Sequence, residues 1–455
     1  MTRYEHNGME PHGQQEWQEQ PQQEACGGGC PGPMDLFTST IDRRGFLRVG
    51  TGGLLSLLFA QWLDPRAACA QNGRSGAARS CILLWMNGGP SHLETFDPKP
   101  GTSTGGPTRV VRTRVPGIEI SEYVAPLADC TDEMAIIRGM TSREGNHQRA
   151  QYLLHTGYAP TGSVTHPSLG AWVSRELGDP QADLPAFVSI SGPSIGAAFL
   201  GVQHGPFVVN NPAQPPQNIA YPRNVNKERF QIRQDALSLL EAQFAAQTGD
   251  PKVQGRRDVY SKAIRLMHSP RLRAFDLTEE PTAVKQAYGD NNFGRGCLMA
   301  RRLVEAGVKF VEVVLDGWDT HQDNFNRVAR LGGIFAPAMA ALIRDLKERN
   351  LLDSTLILWM GEFGRTPRIN GSEGRDHYPQ AWSAVLAGGG IRRGIVYGQT
   401  DETGARVVHQ PVTVPDFFAT VATLLGMDPD KTVMTPIGRP IAITEKGRPI
   451  RELIA

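Results

Sequence analysis

Acidic side chains and histidines are concentrated in one stretch near the end of the sequence. Asp316, Asp319 and His321 directly follow one apolar run, and Glu362 follows the next. His377 closes the stretch, shortly before a further apolar run. Imidazole nitrogens and carboxylate oxygens are ligands of zinc, and oxygen ligands suit calcium. The pattern therefore predicts a divalent-metal site at the ends of strands.

Each of these side chains also has a structural alternative. His321 and His377 each lie close in sequence to an Asp, which could orient a metal-ligating ring or only hydrogen-bond a histidine at a turn. Glu362 fits a metal ligand, a general base or a buried ion-pair partner of Arg365. The residue types alone leave these alternatives open.

Three arginines lie among the acidic residues and histidines, at positions Arg365, Arg368 and Arg375. The planar guanidinium group binds phosphate and sulfate through paired hydrogen bonds. We therefore predict that these arginines bind an anionic ester or glycan substrate. The alternative is that they are solvated loop residues.

A hydroxyl group that could attack such a substrate is less clearly marked. Ser91 lies in a Gly-Gly-Pro-Ser turn after an apolar run, and Thr141 and Ser142 follow another. A hydroxyl beside a metal is activated because its pKa falls, but serine and threonine at such positions more often cap helices. We take Ser91 as the predicted nucleophile, His92 as a catalytic acid and His147 as a contact to the oxyanion.

Apolar runs that alternate with helical patterns must position these residues. Apolar residues recur at steps of three and four between Val328 and Leu346, which predicts an amphipathic helix. Thr413 has the form of a helix cap. The alternation predicts an α/β fold with a largely parallel central sheet and helices on both faces. The predicted strands are residues 80–86, 134–137, 184–190, 308–315, 354–360 and 382–387.

The N-terminal region has the pattern of an export signal. Arg43 and Arg44 precede a short apolar run, and Ala68-Cys-Ala70 follows it. This predicts a twin-arginine signal peptide, recognised by the twin-arginine translocation machinery, and a periplasmic or extracellular protein. Retention as an anchor is the alternative, but the run is too short to span a bilayer comfortably. We predict a disordered extension (1–40), the signal peptide (41–70), a linker (71–79) and a single domain (80–455) with an insertion at about 191–290.

Composition excludes other classes of function. The 455 residues have a net charge of only +1, so the chain has no overall attraction to nucleic acid or to anionic membranes. The six cysteines form no C-x-x-C pair and no disulfide framework. With 40% hydrophobic residues the chain can build a substantial core. After cleavage of the signal peptide we expect no stable membrane span.

Four motifs, in order, resemble the bacterial domain-of-unknown-function family numbered 1501. They are residues 87–100, 317–321, 361–367 and 374–377. This family is grouped with the alkaline phosphatase and sulfatase superfamily, whose members use one or two metals and a hydroxyl or modified-cysteine nucleophile. The resemblance implies an alkaline phosphatase-like fold and a metal-dependent hydrolase of phosphate or sulfate esters. No Cys-x-Pro-x-Arg sulfatase motif is present.

The resemblance also implies a set of metal residues. It assigns Asp319, His321 and His377 to one metal, with Asp316 nearby. Asn87 stands where the superfamily has an Asp, and Glu362 and Phe363 stand where it has an Asp-His pair. Losing a charge and an imidazole favours a single-metal site, or calcium bound through oxygen ligands as in sulfatases, over a two-zinc site. The metal that the resemblance implies is therefore zinc or calcium. The same changes favour a rival function, in which the chain binds an anionic glycan or a cell-surface partner without cleaving it.

Overall fold

The computed structural model describes residues 78–217, 219–248 and 251–455. The predicted N-terminal extension, the signal peptide and most of the linker lie outside the described residues. No helix in the described ranges is both long enough and apolar enough to cross a membrane.

Helices and strands alternate along the chain. The α-helices of the described ranges are α1 (His147–Thr156), α2 (Leu169–Leu177), α3 (Lys227–Thr248), α4 (Pro251–His268), α5 (Thr282–Tyr288), α6 (Asn292–Glu305), α7 (Asn324–Glu348) and α8 (Val414–Leu424). Short 3-10 segments connect them, and the longest is Glu122–Glu133.

A nine-stranded sheet forms the centre of the fold. Its strands are β1 (Ser80–Asn87), β4 (Met134–Thr141), β5 (Phe187–Ile190), β6 (Phe207–Val209), β7 (Phe310–Asp316), β8 (Thr355–Met360), β11 (Trp382–Gly388), β12 (Ile395–Tyr397) and β15 (Val412–Thr413). Two-stranded ribbons add β2 (Val110–Arg112) with β3 (Glu119–Ser121), β9 (Gly364–Arg365) with β10 (His377–Tyr378), β13 (Gln399–Thr400) with β14 (Val407–His409), and β16 (Thr432–Met434) with β17 (Pro440–Ala442).

The strand order confirms the predicted mixed α/β fold with a largely parallel sheet. The order is β12-β4-β11-β8-β1-β7-β5-β6, and β15 also pairs with β4. Strand β11 is antiparallel to both of its neighbours, whereas the other pairs in this sheet are parallel. The apolar pattern of β11 does not reveal its direction, because a strand buried on both faces reads the same either way.

Helices cover both faces of the sheet and leave its central strands buried. The side chains of α6 and α7 join one hydrophobic core, and those of α1, α2 and α8 join the other. Six of the seven residues in 80–86 are apolar, and all seven are buried. A strand covered on both faces needs such a continuous apolar run, which explains why the sequence marks β1 so clearly.

The segment predicted as an insertion contributes to the main sheet. Strand β6 pairs with β5 and forms one edge of the sheet. The rest of the segment includes α3 and α4, as the helical pattern predicts. Three residues are too few for a hydrophobic period, so β6 cannot be recognised from its own sequence.

Polar side chains terminate the elements that lead to the candidate site. Asn146 caps α1 by accepting a hydrogen bond from the backbone N–H of Arg149, and Gly157 ends the helix in the left-handed region. Thr413 caps α8 in the same way, which confirms the predicted cap. Strand β1 lies between β7 and β8, with Asn87 opposite Asp316 and Trp85 opposite Met360. Three parallel strands therefore end at one edge.

Candidate metal centre

Loops at this edge of the sheet bring together residues from distant parts of the chain. Asp319 and His321 follow β7, and His147 is the first residue of α1, after β4. Arg365 ends β9 and pairs across the ribbon with His377, which begins β10. Parallel strands that end together explain why residues so far apart in sequence meet.

Three imidazoles converge around one carboxylate. His147, Asp319 and His377 each offer a ligand atom, and these three atoms lie within 4.8 Å of one another. His321 extends the group: its Nε2 lies 3.0 Å from Asp319 Oδ1 and 3.0 Å from His377 Nε2. His377 Nε2 is 3.3 Å from Asp319 Oδ1, and His147 Nε2 is 3.4 Å from Asp319 Oδ2.

The outer nitrogen of each imidazole is held by an oxygen atom. Nδ1 of His321 is 2.8 Å from an Asp376 oxygen, Nδ1 of His377 is 2.8 Å from the Gly145 carbonyl, and Nδ1 of His147 is 2.7 Å from a Glu362 oxygen. Because these oxygens accept hydrogen bonds, each Nδ1 is placed to donate its proton, which leaves Nε2 on the side that faces Asp319.

This geometry fits a metal ion. Histidines that bind metals usually donate their second N–H to a carboxylate or a carbonyl, as all three do here. Ligands at zinc distances from one ion lie roughly 3.3 Å apart in a tetrahedron, close to the spacings given above. The site is open to solvent, since the side chain of Asp319 is 46% exposed and that of His377 is 26% exposed.

Glu362 is buried behind the site and orients one of its ligands. Its carboxylate accepts the backbone N–H of Gly88 at 2.9 and 3.1 Å, in addition to the proton of His147. Gly88 has φ of +115°, and a Cβ there would lie 2.4 Å from the backbone nitrogen of Asp319, so this turn requires glycine. Glu362 is therefore a positioning residue, and the structure does not place it as a free base or as the ion-pair partner of Arg365.

The aromatic ring of Phe363 packs against two of the histidines. Its ring centroid lies 5.0 Å from that of His147 and 4.7 Å from that of His377. The side chain is fully buried. The phenyl ring thus packs against the imidazoles, and it fixes their planes without offering a ligand atom.

Arg365 neutralises the central carboxylate. Its Nη2 donates to Asp319 Oδ1 at 2.6 Å and to the Gly88 carbonyl, and its Nε donates to the Gly89 carbonyl at 3.0 Å. Burial alone would raise the pKa of Asp319, but the hydrogen bond and charge of Arg365 outweigh this effect and lower that pKa to about 2. Asp319 is therefore ionised throughout the neutral range.

The histidines differ in how readily they hold a proton. The hydrogen bond to Glu362 raises the pKa of His147 above its ordinary value. Burial lowers the pKa of His377, and the positive charge of Arg365 lowers it further. His377 therefore stays neutral to a lower pH than His147 does.

Asn87 and Asp316, both predicted metal residues, form a separate pair beside the cluster. Asn87 Nδ2 donates to Asp316 Oδ1 at 2.5 Å, and Asn87 Oδ1 accepts from Gln151 Nε2 at 2.6 Å. The amide is thus engaged on both sides, and neither side chain belongs to the converging group. The structure instead uses Asn87 to connect β1 with α1.

Ser91 and His92 form no hydrogen bond or ion pair with the candidate ligands among the described residues. Both are buried, and the hydroxyl of Ser91 has no hydrogen-bond partner among the described residues. His92 Nε2 lies 2.8 Å from the Gly404 carbonyl. The chain folds into a tight turn here, in which the N–H groups of Thr95 and Asp97 both contact the His92 carbonyl. Residues 91 and 92 are thus buried beside this turn, and their predicted roles as nucleophile and catalytic acid stay predictions.

The three predicted substrate arginines lie in different surroundings. Arg375 is fully buried, and its guanidinium contacts both carboxylate oxygens of Glu94, at 2.6 and 3.0 Å. Arg365 is also buried and is engaged as described above. Only Arg368 is exposed to solvent. The arginines predicted as one anion-binding group are thus mostly structural, because their charges are matched inside the protein.

Sequence reasoning missed part of the site. His147 is predicted as a substrate contact, yet it lies among the candidate ligands. Asp376 orients His321 rather than its sequence neighbour His377. Gln151 carries no chemical motif, and its spacing of four from His147 on a helix is the only signal that could have indicated it.

Comparisons with known proteins give weak structural similarities and one family match. No curated protein is detectably similar to this chain in sequence. Among solved structures, Ps i-CgsB in complex with k-i-k-neocarrahexaose aligns over 77% of this chain and 72% of its own, with 11% identity and a TM-score of 0.38. The PsFucS1 sulfatase from Pseudoalteromonas sp. aligns over 80% and 70%, with 14% identity and a TM-score of 0.34.

The alkaline phosphatase from the Antarctic bacterium TAB5 aligns over 78% of this chain and 100% of its own, with 11% identity and a TM-score of 0.32. Similarities of this size support no inference about activity. The match to a family model is of a different kind, because it extends over residues 78–454 and so spans nearly all of the described residues. This chain belongs to the family described as a protein of unknown function (DUF1501).

Proposed function

We propose that this protein is an exported, metal-dependent hydrolase of the alkaline phosphatase and sulfatase-like superfamily that acts on a phosphate or sulfate ester. One observation carries the proposal: the Nε2 atoms of three imidazoles, whose Nδ1 atoms face other oxygens, lie 3.0–3.4 Å from the carboxylate of Asp319. A cation shared by these atoms would offset the negative charge of Asp319.

The donor set suits zinc or another divalent ion that accepts nitrogen, and it suits calcium less well. His147, His321, His377 and Asp319 would hold the ion. Three nitrogens and one carboxylate resemble zinc coordination, whereas calcium takes oxygen ligands. When bound, such an ion would supply a Lewis acid that neutralises charge developing on the ester oxygen.

The protein's own residues would hold this centre in place and receive the substrate. Glu362 and Asp376 fix the planes of two histidines, and Arg365 keeps Asp319 ionised. The exposed Arg368, three residues beyond Arg365, is the predicted arginine best placed to contact an anionic group. An anionic ester or a sulfated or phosphorylated glycan remains the substrate class that we propose.

Export by the twin-arginine pathway is part of the proposal. It is supported by Arg43-Arg44 and the apolar run that follows them. Proteins that fold around a metal before crossing the membrane are suited to this route. We propose a periplasmic or extracellular location.

A rival function is favoured by one observation. The hydroxyl predicted to attack, that of Ser91, is buried and has no hydrogen-bond partner among the described residues. A family member without a protein nucleophile at the site could bind an anionic glycan or a cell-surface partner without cleaving it. Such a protein would show ligand binding and no turnover.

The metal content of the purified, exported protein tests the proposal. We would measure it by elemental mass spectrometry for the wild type, for His321→Ala/His377→Ala and for His409→Ala, a control at an exposed histidine outside the site. We expect near-stoichiometric metal in the wild type and the control, and loss of it in the double variant. Folded wild-type protein that holds no metal, and takes up none from added zinc, would contradict the proposal.

Turnover separates the two functions once metal is shown. Aryl phosphate and aryl sulfate esters would be offered to the metal-loaded protein, with the double variant as the blank. Hydrolysis by the wild type alone supports the hydrolase. Stoichiometric metal without turnover of either ester would favour the binding function.

A further inference from the structure

Helix α1 presents three polar side chains on one face, at intervals of four residues. His147, Gln151 and His155 follow this spacing, which places them one above another on a helix. Each contacts a different strand or the loop after it. His147 contacts Glu362 after β8, Gln151 contacts the end of β1, and His155 contacts β7. The contacts follow the order of neighbouring strands in the sheet, β8-β1-β7.

The middle contact connects the helix with the end of β1. Gln151 Nε2 donates to Asn87 Oδ1 at 2.6 Å, and Trp85 Nε1 donates to the same oxygen at 3.3 Å. Asn87 in turn donates to Asp316 on β7. The contact is therefore part of a hydrogen-bond network that joins α1 to β1 and β7. This network fixes the position of α1 relative to the two strands.

The third contact is a buried ion pair. His155 Nε2 lies 3.1 Å from Glu312 Oε1, and both side chains are almost completely buried. His155 Nδ1 faces the Gln151 carbonyl at 2.8 Å, so both ring nitrogens face oxygen atoms. The hydroxyl of Ser194 donates to the other Glu312 oxygen, and the Trp85 ring lies 4.1 Å from the imidazole. A buried pair with this many partners holds its geometry closely, because either charge alone would be strongly disfavoured.

We propose that Gln151 and His155 are positioning residues, which hold α1 across the sheet so that Nε2 of His147 stays beside Asp319 and can share one ion with His377 and His321. This inference rests on the proposed metal centre. His147 is the first residue of a ten-residue helix, a length that is marginal without tertiary contacts. The first turn of a helix is also where it frays. Contacts one and two turns further along would limit that motion.

Two variants test the proposal with metal binding as the readout. Gln151→Met keeps the length of the side chain and removes its donor, and His155→Gln removes the ion pair. The dissociation constant for Zn²⁺ would be measured by competition with a chromophoric chelator, and the visible absorption of the Co²⁺ form would report the ligand number. We expect Gln151→Met to bind Zn²⁺ about 3- to 10-fold more weakly, the effect of one lost hydrogen bond, with weaker Co²⁺ absorption.

The control is Gln148→Ala, an exposed glutamine on the same helix. It should leave the Zn²⁺ dissociation constant and the Co²⁺ spectrum unchanged. A double-mutant cycle distinguishes positioning from a general loss of stability. If Gln151 acts through His147, then Gln151→Met should have no further effect on Zn²⁺ binding in a His147→Ala background.

Two results would overturn the proposal while leaving the metal centre intact. One is a Gln151→Met protein with the wild-type dissociation constant and Co²⁺ spectrum. The other is a full additional loss of affinity in the His147→Ala background, which would show a purely structural role. If the wild type itself binds neither Zn²⁺ nor Co²⁺, the metal centre fails and the positioning proposal fails with it. Since Gln151→Met removes no charge, it remains informative if His155→Gln does not fold.

Discussion

Replacing Glu362 with glutamine changes the candidate metal centre without touching a ligand. The wild-type carboxylate is buried and accepts two N–H groups, from the Gly88 backbone and from His147. A glutamine has nearly the same volume, but only its carbonyl oxygen can accept. Oε1 of the wild-type carboxylate accepts from both Gly88 and His147, and Oε2 lies 3.1 Å from the Gly88 nitrogen. In the variant the NH₂ group faces the Gly88 N–H from the Oε2 position, and the charged hydrogen bond to His147 is lost.

The magnitude follows from the bond that is lost. A hydrogen bond to a charged group contributes about 1.5–3 kcal/mol. Loss of an outer partner of a metal-ligating histidine typically weakens metal binding about 10- to 100-fold, which is about 1.4–2.8 kcal/mol. The two figures agree, so we expect Glu362→Gln to raise the Zn²⁺ dissociation constant by about one to two orders of magnitude at pH 8.

The raised pKa of His147 predicts how the difference in Zn²⁺ affinity between the two proteins changes with pH. The Glu362 carboxylate raises the pKa of His147, so in the wild type this ring takes up a proton at a higher pH than usual. A proton on Nε2 competes with metal, so wild-type affinity falls as pH drops through that raised pKa. In Glu362→Gln the pKa of His147 returns toward its ordinary value. The variant should lose affinity only at lower pH, and the gap between the two proteins should narrow as pH falls.

The assay is a Zn²⁺ titration against a chelator from pH 8 to pH 6, with thermal melting to confirm folding. Glu144→Gln is the matched control. Glu144 pairs with Arg149 and does not contact the His147 ring, so this substitution removes the same charge near His147 without changing a partner of the imidazole. The control should bind Zn²⁺ like the wild type. Equal affinity of Glu362→Gln and the wild type at pH 8, or a difference in affinity that widens toward pH 6, would contradict this prediction.

Three further substitutions test separate parts of the site. Arg375→Met leaves Glu94 buried without its partner, and the free energy of unfolding in urea should fall by about 3–5 kcal/mol; a fall below about 1 kcal/mol, the usual value of an exposed pair, would contradict the buried ion pair. Ser91→Ala removes a buried hydroxyl without a hydrogen-bond partner, so ester hydrolysis by the metal-loaded protein should be unchanged, and its abolition would restore Ser91 as the nucleophile. Asp376→Asn removes the carboxylate that orients His321, and the Zn²⁺ dissociation constant from chelator competition should rise about tenfold; wild-type affinity would show that His321 needs no such partner.

The class of fold could be predicted from the sequence because each central strand is covered on both sides. A strand that is buried on both faces needs apolar residues at successive positions, so continuous apolar runs such as that of β1 indicate this burial directly. The amphipathic period of α7 and the cap at Thr413 are equally local, and the structure confirms both. The direction of β11 depends on connections and neighbours rather than on its own residues, and it could not be predicted.

Some residues of the candidate site could likewise be predicted from the sequence, and others could not. Residue types, together with the family resemblance, indicated Asp319, His321 and His377, since few other residues bind metals. The sequence could not assign His147 to the same group, because a histidine at the start of a helix can bind either an anion or a metal, and its local sequence does not distinguish the two.

Which charged side chains pair inside the protein depends on the tertiary structure. Arg375 and Glu94 are 281 residues apart in the chain, and no local pattern records that they form a buried pair. The same holds for the turn that buries Ser91 and for the partners of each imidazole. Residue types and strand patterns were enough to indicate which residues could do chemistry at the edge of the sheet. Their roles depend on which atoms lie within hydrogen-bond distance, and long-range packing alone sets those distances.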